Sequence, residues 1–340
     1  MQTRSRVIGF LVITVICVVV AVYFLFQGMR RSGEGPGSDV AVTAEPSRLA
    51  TVLREPHVLF RNTALGNSYG RVSAALLREP GAMRYATTLA CDRVDFNGGT
   101  GVCLVAKRGV VTTYKAQVFD ASFSPSHDIP LAGVPSRVRV APNGELAGVT
   151  VFVSGHSYAS VGFSTQTTLI DTRKGTVLAN LEQFTVTRDG KRFAAADFNF
   201  WGVTFTADSN TFLATLASGN VFYLVRGDAG RQAATVIGEG VECPALSPDN
   251  TRIAYKKRVV EGGRLIWHLA VRSLETGVER VLDQETRSID DQVEWLDNDN
   301  ILYGASDEGL GTGRTSVWAL SVNGGAPRKW LVDAFSPAVF

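Results

Sequence analysis

Through most of the chain, apolar and polar residues alternate in short runs separated by turn-forming sequence. The stretch Val241 to Arg258 shows this most plainly: an alternating run ends at Leu246, Ser247-Pro248-Asp249-Asn250 follows, and a second run, Ile253-Ala254-Tyr255, leaves it. Side chains two apart share one face of a strand, and Pro, Asp and Asn favour the tight turn between runs, so the pattern predicts a β-hairpin. The same arrangement returns where Phe96 precedes Asn97-Gly98-Gly99, Val140 precedes Ala141-Pro142-Asn143-Gly144, Phe205 precedes Thr206-Ala207-Asp208-Ser209, and Trp295 precedes Leu296-Asp297-Asn298-Asp299. Two residues before these positions stand Val94, Val138, Val203, Pro244 and Val293, which complete one buried face per strand. Second strands are expected at Val102–Ala106, Val149–Val153, Phe212–Leu216, Ile253–Tyr255 and Ile301–Tyr303. Third strands are expected at Lys115–Phe119, Thr168–Ile170, Val221–Val225, Leu269–Leu274 and Val317–Val322. Fourth strands are weaker, as suits an exposed outer edge.

Most of these hairpins recur at gaps of roughly forty to fifty residues, a period that marks the blades of a β-propeller. Five blades are complete. The N-terminal region has a second strand at Val58-Leu59-Phe60 and a third at Arg71–Leu77, but no first; Ser336-Pro337-Ala338-Val339-Phe340 repeats the pattern of Cys243-Pro244-Ala245-Leu246. The C-terminal strand is therefore expected to close the first blade, leaving no open seam in the ring. The fold class is all-β, a six-bladed β-propeller over residues 51–340, preceded by one transmembrane helix.

The Ser-Pro-Asp-Asn turn followed by Arg252-Ile253-Ala254-Tyr255, with its degenerate relatives, resembles the repeat of the TolB-like, or WD40-like, six-bladed propeller family. The resemblance covers about residues 55–340. It implies an extracytoplasmic interaction scaffold; TolB itself has an extra α/β domain before its propeller and is soluble, whereas this chain carries an expected anchor.

That anchor is the uninterrupted apolar run Val7 to Phe26, 20 residues long, enough at about 1.5 Å per residue to cross a hydrocarbon core of about 30 Å. A cleaved signal peptide would have a shorter apolar region followed by small residues, and here Met29-Arg30-Arg31 follows. The expected organisation is a short tail over 1–6, a single-pass signal anchor over 7–26, a flexible linker over 27–50 rich in Gly and Pro, and the propeller on the extracytoplasmic side of the cell membrane.

Charge adds little to the picture. The net +2 hides four arginines flanking the apolar run, and without them 30 basic residues face 32 acidic ones. Such a balance gives no reason to expect nucleic acid as a partner. The four cysteines include no Cys-x-x-Cys pair, which argues against structural zinc. Cys91 and Cys103 are a candidate disulfide if the domain is extracytoplasmic, although a simple turn at Gly98-Gly99 sets Cys103 opposite Val94; buried free thiols are the alternative.

In a propeller the starts of the first strands and the loops between second and third strands share one face. The long insertions fall there: Ser154–Thr165, Phe184–Phe200, Val259–Gly263 and Ser306–Ser316. Counting four residues back from the aligned apolar positions gives a mouth of Asp92, Ser136, Trp201, Glu242, Asp291 and Phe335, with Arg93, Arg137, Gln292 and Ser336 one residue later. The candidate binding residues are Asp92, Arg93, Arg137, Glu242 and Asp291 at the mouth, Phe198, Phe200 and Trp201 as aromatic anchors, and His156 and Tyr158 in the longest loop. A solvated rim with paired charges, and aromatics filling space between blades, is the alternative reading of the same residues.

Two serine motifs, Gly66-Asn67-Ser68-Tyr69-Gly70 and Ser154-Gly155-His156-Ser157-Tyr158-Ala159, lack the following helix that a nucleophile elbow requires. Asp297-Asn298-Asp299-Asn300 lacks EF-hand spacing and reads as a turn. No convincing catalytic motif remains and no cofactor is expected. The sequence thus points to a membrane-anchored binding scaffold whose loop-rich face takes an envelope protein, peptide or glycan. The alternative is a metal-dependent hydrolase or lactonase in which Glu242 and Asp291 converge on a divalent ion.

Overall fold

The computed structural model describes residues 12–24, 41–153, 164–307 and 314–340. The chain divides into two compact units, Met1–Asp39 with Ala64–Asn67, and Val40–Thr63 with Ser68–Phe340. In the first, residues 12–24 form a helix whose side chains are all exposed. Among the described residues no helix is long and apolar enough to cross a membrane; the remainder of the expected span and most of the linker lie outside them.

The second unit is six consecutive sheets, the expected propeller. Blade one contains β1 (Ala41–Thr43), β2 (His57–Asn62), β3 (Arg71–Leu76), β4 (Met83–Ala90) and the C-terminal strand Ala334–Val339. Blade two is β5 (Arg93–Asn97), β6 (Thr100–Lys107), β7 (Thr113–Asp120) and β8 (Pro125–Leu131), and blade three is β9 (Val134–Val140), β10 (Leu146–Val153), β11 (Ser164–Asp171) and β12 (Thr176–Asn180). Blade four starts with a hairpin, β13 (Thr185–Arg188) and β14 (Lys191–Phe193), and continues with β15 (Asn199–Phe205), β16 (Thr211–Ser218), β17 (Val221–Asp228) and β18 (Ala233–Glu239). Blade five is β19 (Glu242–Leu246), β20 (Arg252–Glu261), β21 (Arg264–Ser273) and β22 (Glu279–Val281); blade six is β23 (Glu294–Trp295), β24 (Asn300–Ser306), β25 (Thr315–Ser321) and β26 (Arg328–Leu331), and the C-terminal strand is β27.

In blades three, four and five the last residue of the tight turn accepts a left-handed backbone. In Ser247–Asn250 the Asn250 N–H bonds the Ser247 carbonyl, Asp249 Oδ1 accepts from the Ser247 hydroxyl and the Thr251 N–H, and Asn250 sits at φ +59°. Gly144 (φ +74°) and Ser209 (φ +58°) hold the same place in blades three and four. Such φ values exclude β-branched residues and favour Gly or Asn.

Inside a blade, consecutive residues serve opposite interfaces. Ile253 packs towards blade four and Ala254 towards blade six; Leu213 faces blade five while Phe212 and Ala214 face blade three. Six apolar clusters among the described residues occupy the six blade-to-blade interfaces. Burial on both faces explains why the second strands read as continuous apolar runs.

The ring closes as expected, β27 pairing antiparallel with β2 and the His57 and Phe340 backbones exchanging two bonds. Arg84, wholly buried on β4, latches this closure by donating to Asn62 Oδ1 and to the carbonyls of Val332 and Asp333. Its burial lowers the guanidinium pKa to about 10.

Three expectations are corrected. Residues 41–50, read as tether, belong to the domain: β1 pairs parallel with β4, and the helix Pro46–Val52 buries Val52 against the blade one–two interface. Most of the insertion Phe184–Phe200 leaves the mouth: β13 pairs parallel with the fourth strand, β18, and widens blade four at its outer edge, and only the end of the insertion, at Asp197 and Asn199, lines the mouth cavity. Val259–Gly263 is the end of a long hairpin turning at Gly262-Gly263, rather than an irregular loop.

The turn does pair Cys103 with Val94, yet Cys103 and Cys91 are joined by a disulfide, with Cα atoms 5.3 Å apart. Cys91 reaches Cys103 because it does not continue the ladder of β5. Its N–H bonds Gly70 of blade one, and the chain bends at Asp92, whose N–H joins the Leu104 carbonyl.

Candidate functional site

At one position near the start of each first strand stand Arg93, Arg137, Gly202, Cys243, Gln292 and Ser336. In blades one, four and five this is a β-bulge with left-handed backbone, at Ser336 (φ +53°), Gly202 (φ +64°) and Cys243 (φ +49°). Gly202 is dictated by space as well, since a Cβ there would lie 2.5 Å from Cys243 Cα. The ring of side chains forms a neck. Gln292 donates across it to the carbonyls of Val203 (3.1 Å) and Pro244 (3.0 Å), and Ser336 Oγ bonds the Val94 backbone. Arg93 bonds Asp291 (2.9 Å) and lies 4.2 Å over the Phe335 ring, while burial holds its guanidinium below the ordinary pKa.

Cavities that share no lining residue lie on either side of this neck, about 340 Å³ on the mouth side and about 430 Å³ on the turn side. The mouth cavity opens between blades three, four and five. Trp201 and Phe222 form an edge-to-face pair 5.9 Å apart, and Trp267 stands on β21 opposite Arg258 of β20. Arg258 lies 3.9 Å over Phe222 and bonds Glu242 (2.8 Å), which also accepts from the Trp267 indole (3.1 Å). Deeper in, Lys256 and Arg137 share Asp290: Lys256 bonds its carboxylate, and Arg137 Nη2 reaches its carbonyl at 3.2 Å and its carboxylate at 3.5 Å. Cations laid over desolvated rings are worth roughly 1–2 kcal/mol each and hold the walls in one arrangement.

The turn-side cavity contains a buried triad. Arg139 lies 2.7 Å from Glu294 and 3.5 Å from Asp95, and Asp95 also accepts from the Val140 N–H (2.6 Å). Burial, reinforced by Glu294, pushes the Asp95 carboxyl up to about 7 despite Arg139. A second carboxyl, the half-buried Glu182, bridges blades three and four through the N–H groups of Thr167 and Phe200, and desolvation raises it to about 7.

Of the residues expected at the mouth, Arg137, Trp201 and Glu242 line the cavity, while Arg93 and Asp291 meet at the neck behind it. Asp92 turns aside to accept from the Ala106 N–H (2.8 Å) near Arg61 and Arg108. Phe200 is wholly buried and packs with Phe198 and Phe193 between blades three and four, so these rings are core rather than surface anchors. His156 and Tyr158 lie outside the described residues, as does the second serine motif. Ser68 of the first motif uses its carbonyl in the β2–β3 turn, accepting from Asn62 and Arg71. Glu242 and Asp291, the pair the metal alternative would use, are each held by an arginine, Arg258 and Arg93, and no group of three or more metal-ligating side chains occurs among the described residues.

Sequence reasoning missed Lys256, Arg258, Phe222, Trp267 and Asp290. The signal was available: Lys256 and Arg258 alternate at the mouth end of β20, in register with Glu242 and Trp267.

No family model and no curated relative matches the chain. Among solved structures, TolB from Acinetobacter baumannii is similar with a TM-score of 0.56 and 15% identity, over 84% of this chain and 66% of TolB, so the match spans slightly less than two thirds of TolB's length. A chain of a nidogen/laminin complex matches with a TM-score of 0.50 and 10% identity, over 84% of this chain and 98% of that one. An oligogalacturonate lyase in complex with manganese matches at 0.46 and 9% identity, over 74% and 72%. The likeness establishes a TolB-like six-bladed propeller fold.

Proposed function

We propose that this protein is a membrane-anchored, extracytoplasmic scaffold whose propeller binds another macromolecule, an envelope protein, peptide or glycan, through its mouth face. The observation that carries the reading is the mouth cavity, where Trp201, Phe222 and Trp267 form a concave aromatic surface fixed by Arg258 and Glu242. Rigid aromatic walls with a few placed charges are the composition of a recognition pocket. The apolar run from Val7 to Phe26 and the exposed apolar side chains of helix 12–24 support a single-pass signal anchor, and a disulfide suits an oxidising compartment.

Affinity capture of the tagged full-length protein from gently solubilised membranes tests this reading. Wild type is expected to enrich a partner that a folded Trp201→Ala variant loses. A partner retained equally by both forms places binding elsewhere on the surface.

The metal-dependent hydrolase alternative has less support, because the carboxylates it would use, Glu242 and Asp291, are engaged by Arg258 and Arg93.

A further inference from the structure

The polar groups that line the mouth cavity are largely occupied by one another. Glu242 serves Arg258 and Trp267. Asp197 accepts from the Ser218 hydroxyl (2.6 Å) and the Gly219 N–H (2.7 Å). Asn199 accepts from Ser164 and Thr165 and donates to the Asp197 carbonyl. A ligand that needs many neutral hydrogen-bond partners, such as a sugar, finds few here. The aromatic surface and the two inner cations, Lys256 and Arg137, are what remain.

The charge is concentrated at the inner end. The Lys256 and Arg137 side chains are only 5% and 10% exposed, and their shared partner, the Asp290 side chain, is 63% exposed. Two desolvated cations thus face one solvated carboxylate, and the buried Arg137 Nε has no hydrogen-bond partner. The backbone beside Asp290 is pinned, because Asp291 bonds Arg93 and Gln292 bonds blades four and five, but the Asp290 side chain is open to water and can swing aside. The cavity lining as a whole balances, Arg137, Lys256 and Arg258 against Asp197, Glu242 and Asp290, and Arg93 is neutralised by Asp291, so the positive excess is local: at the inner end Lys256 and Arg137 face Asp290 alone. Buried cations that lack full pairing favour any anion able to reach them.

We infer that the mouth cavity recognises an apolar carboxylate, of the kind a peptide C-terminus presents: the carboxylate seats against Lys256 and Arg137 in place of Asp290, and the adjoining apolar group lies between Trp201, Phe222 and Trp267. The inference rests on the mouth-binding reading and adds to it the chemistry of the ligand. Asp290 is then an internal competitor, a carboxylate of the protein's own that holds the cations until a ligand arrives.

The test is a titration of the purified full-length protein in mild detergent, followed by tryptophan fluorescence, since Trp201 and Trp267 stand in the cavity wall. The probes are hippurate, an aromatic acylglycine acid, its uncharged methyl ester, and glucuronate, a sugar acid. Hippurate is expected to give a saturable change and to bind at least about tenfold more tightly than the ester, with glucuronate weaker than hippurate. Lys256→Met should weaken hippurate by about tenfold or more, and Asp290→Asn, a change at an exposed side chain, should tighten it. Equal binding of acid and ester, glucuronate binding better than hippurate, or no response to hippurate in either wild type or Asp290→Asn each overturns the carboxylate subsite. Capture of a macromolecular partner that depends on Trp201 would still stand after any of those results, so the failure of the subsite is distinguishable from the failure of the mouth-binding reading.

Discussion

Individual residues carry two kinds of constraint here, backbone conformation and buried charge. Asn250 at φ +59° belongs to the first kind. Asn250→Gly should leave stability within a few tenths of a kcal/mol, whereas Asn250→Val should cost about 1–2 kcal/mol, because a β-branched residue resists the left-handed region. Chemical denaturation measures both, and equal effects would show that the turn conformation is not what selects Asn.

Asp95 and Glu182 belong to the second kind. Both have folded pKa values raised to about 7 by burial, above the ordinary 3.8 and 4.5. The folded chain therefore holds protons that the unfolded chain has released. The stability linked to these groups is complete below their ordinary pKa and is lost as pH climbs through about 7. Lowering the pH from about 8 to about 6 should raise the melting temperature, and Glu182→Gln should flatten part of that rise; a melting temperature that falls over the same interval would contradict the assignment. At this scale the sequence showed Arg137, Trp201 and Glu242 through simple counting, since counting back from the tight turn along each first strand reaches its mouth end. Lys256 and Arg258, which alternate just beyond the expected strand end at Tyr255, join them because β20 runs on to Glu261 and carries both into the wall.

Elements were most legible where their partners are adjacent in sequence. Every hairpin expected from a tight turn between alternating runs is present, because local turn chemistry and period-two burial specify the same register. Among the strands that escaped notice, β1 and β13 are each three or four residues long and paired in parallel with a distant partner; β13 finds β18 almost fifty residues later. Nothing local announces such a pairing. Long-range contacts also govern the latch at Arg84, which reaches from β4 to Val332 and Asp333. Arg84→Met should strip the half-buried Val332 carbonyl of its donor and the Asp333 carbonyl of one of its two, the Thr63 N–H remaining, at about 1–3 kcal/mol in all, and its effect should appear as early proteolytic release of the C-terminal strand. A variant as stable and as protease-resistant as wild type would show that β27 is held without the latch.

For the whole molecule the governing fact is closure. Deleting Ser336–Phe340 removes most of the inner strand of blade one, the Ser336–Val94 bonds and the Phe340 ring that meets His57 and Phe96. The ring should then melt well below wild type in a single broad transition, and unchanged melting would mean that the N-terminal blade stands alone. Closure also creates the neck that divides the axis into a mouth with aromatic walls and a turn-side cavity around Arg139. The sequence indicated the ring and the mouth, but the division depends on side chains such as Gln292 crossing between blades, which no pattern along one strand encodes.

The claim that the mouth is the binding face is tested most directly in cells, with a photo-crosslinking amino acid placed at Phe222 in the cavity wall or at Asn298 on the exposed turn face. Crosslinks to a partner from position 222 and none from position 298 are the predicted result. Crosslinks from position 298 alone would contradict the account and move the binding surface to the opposite side of the ring.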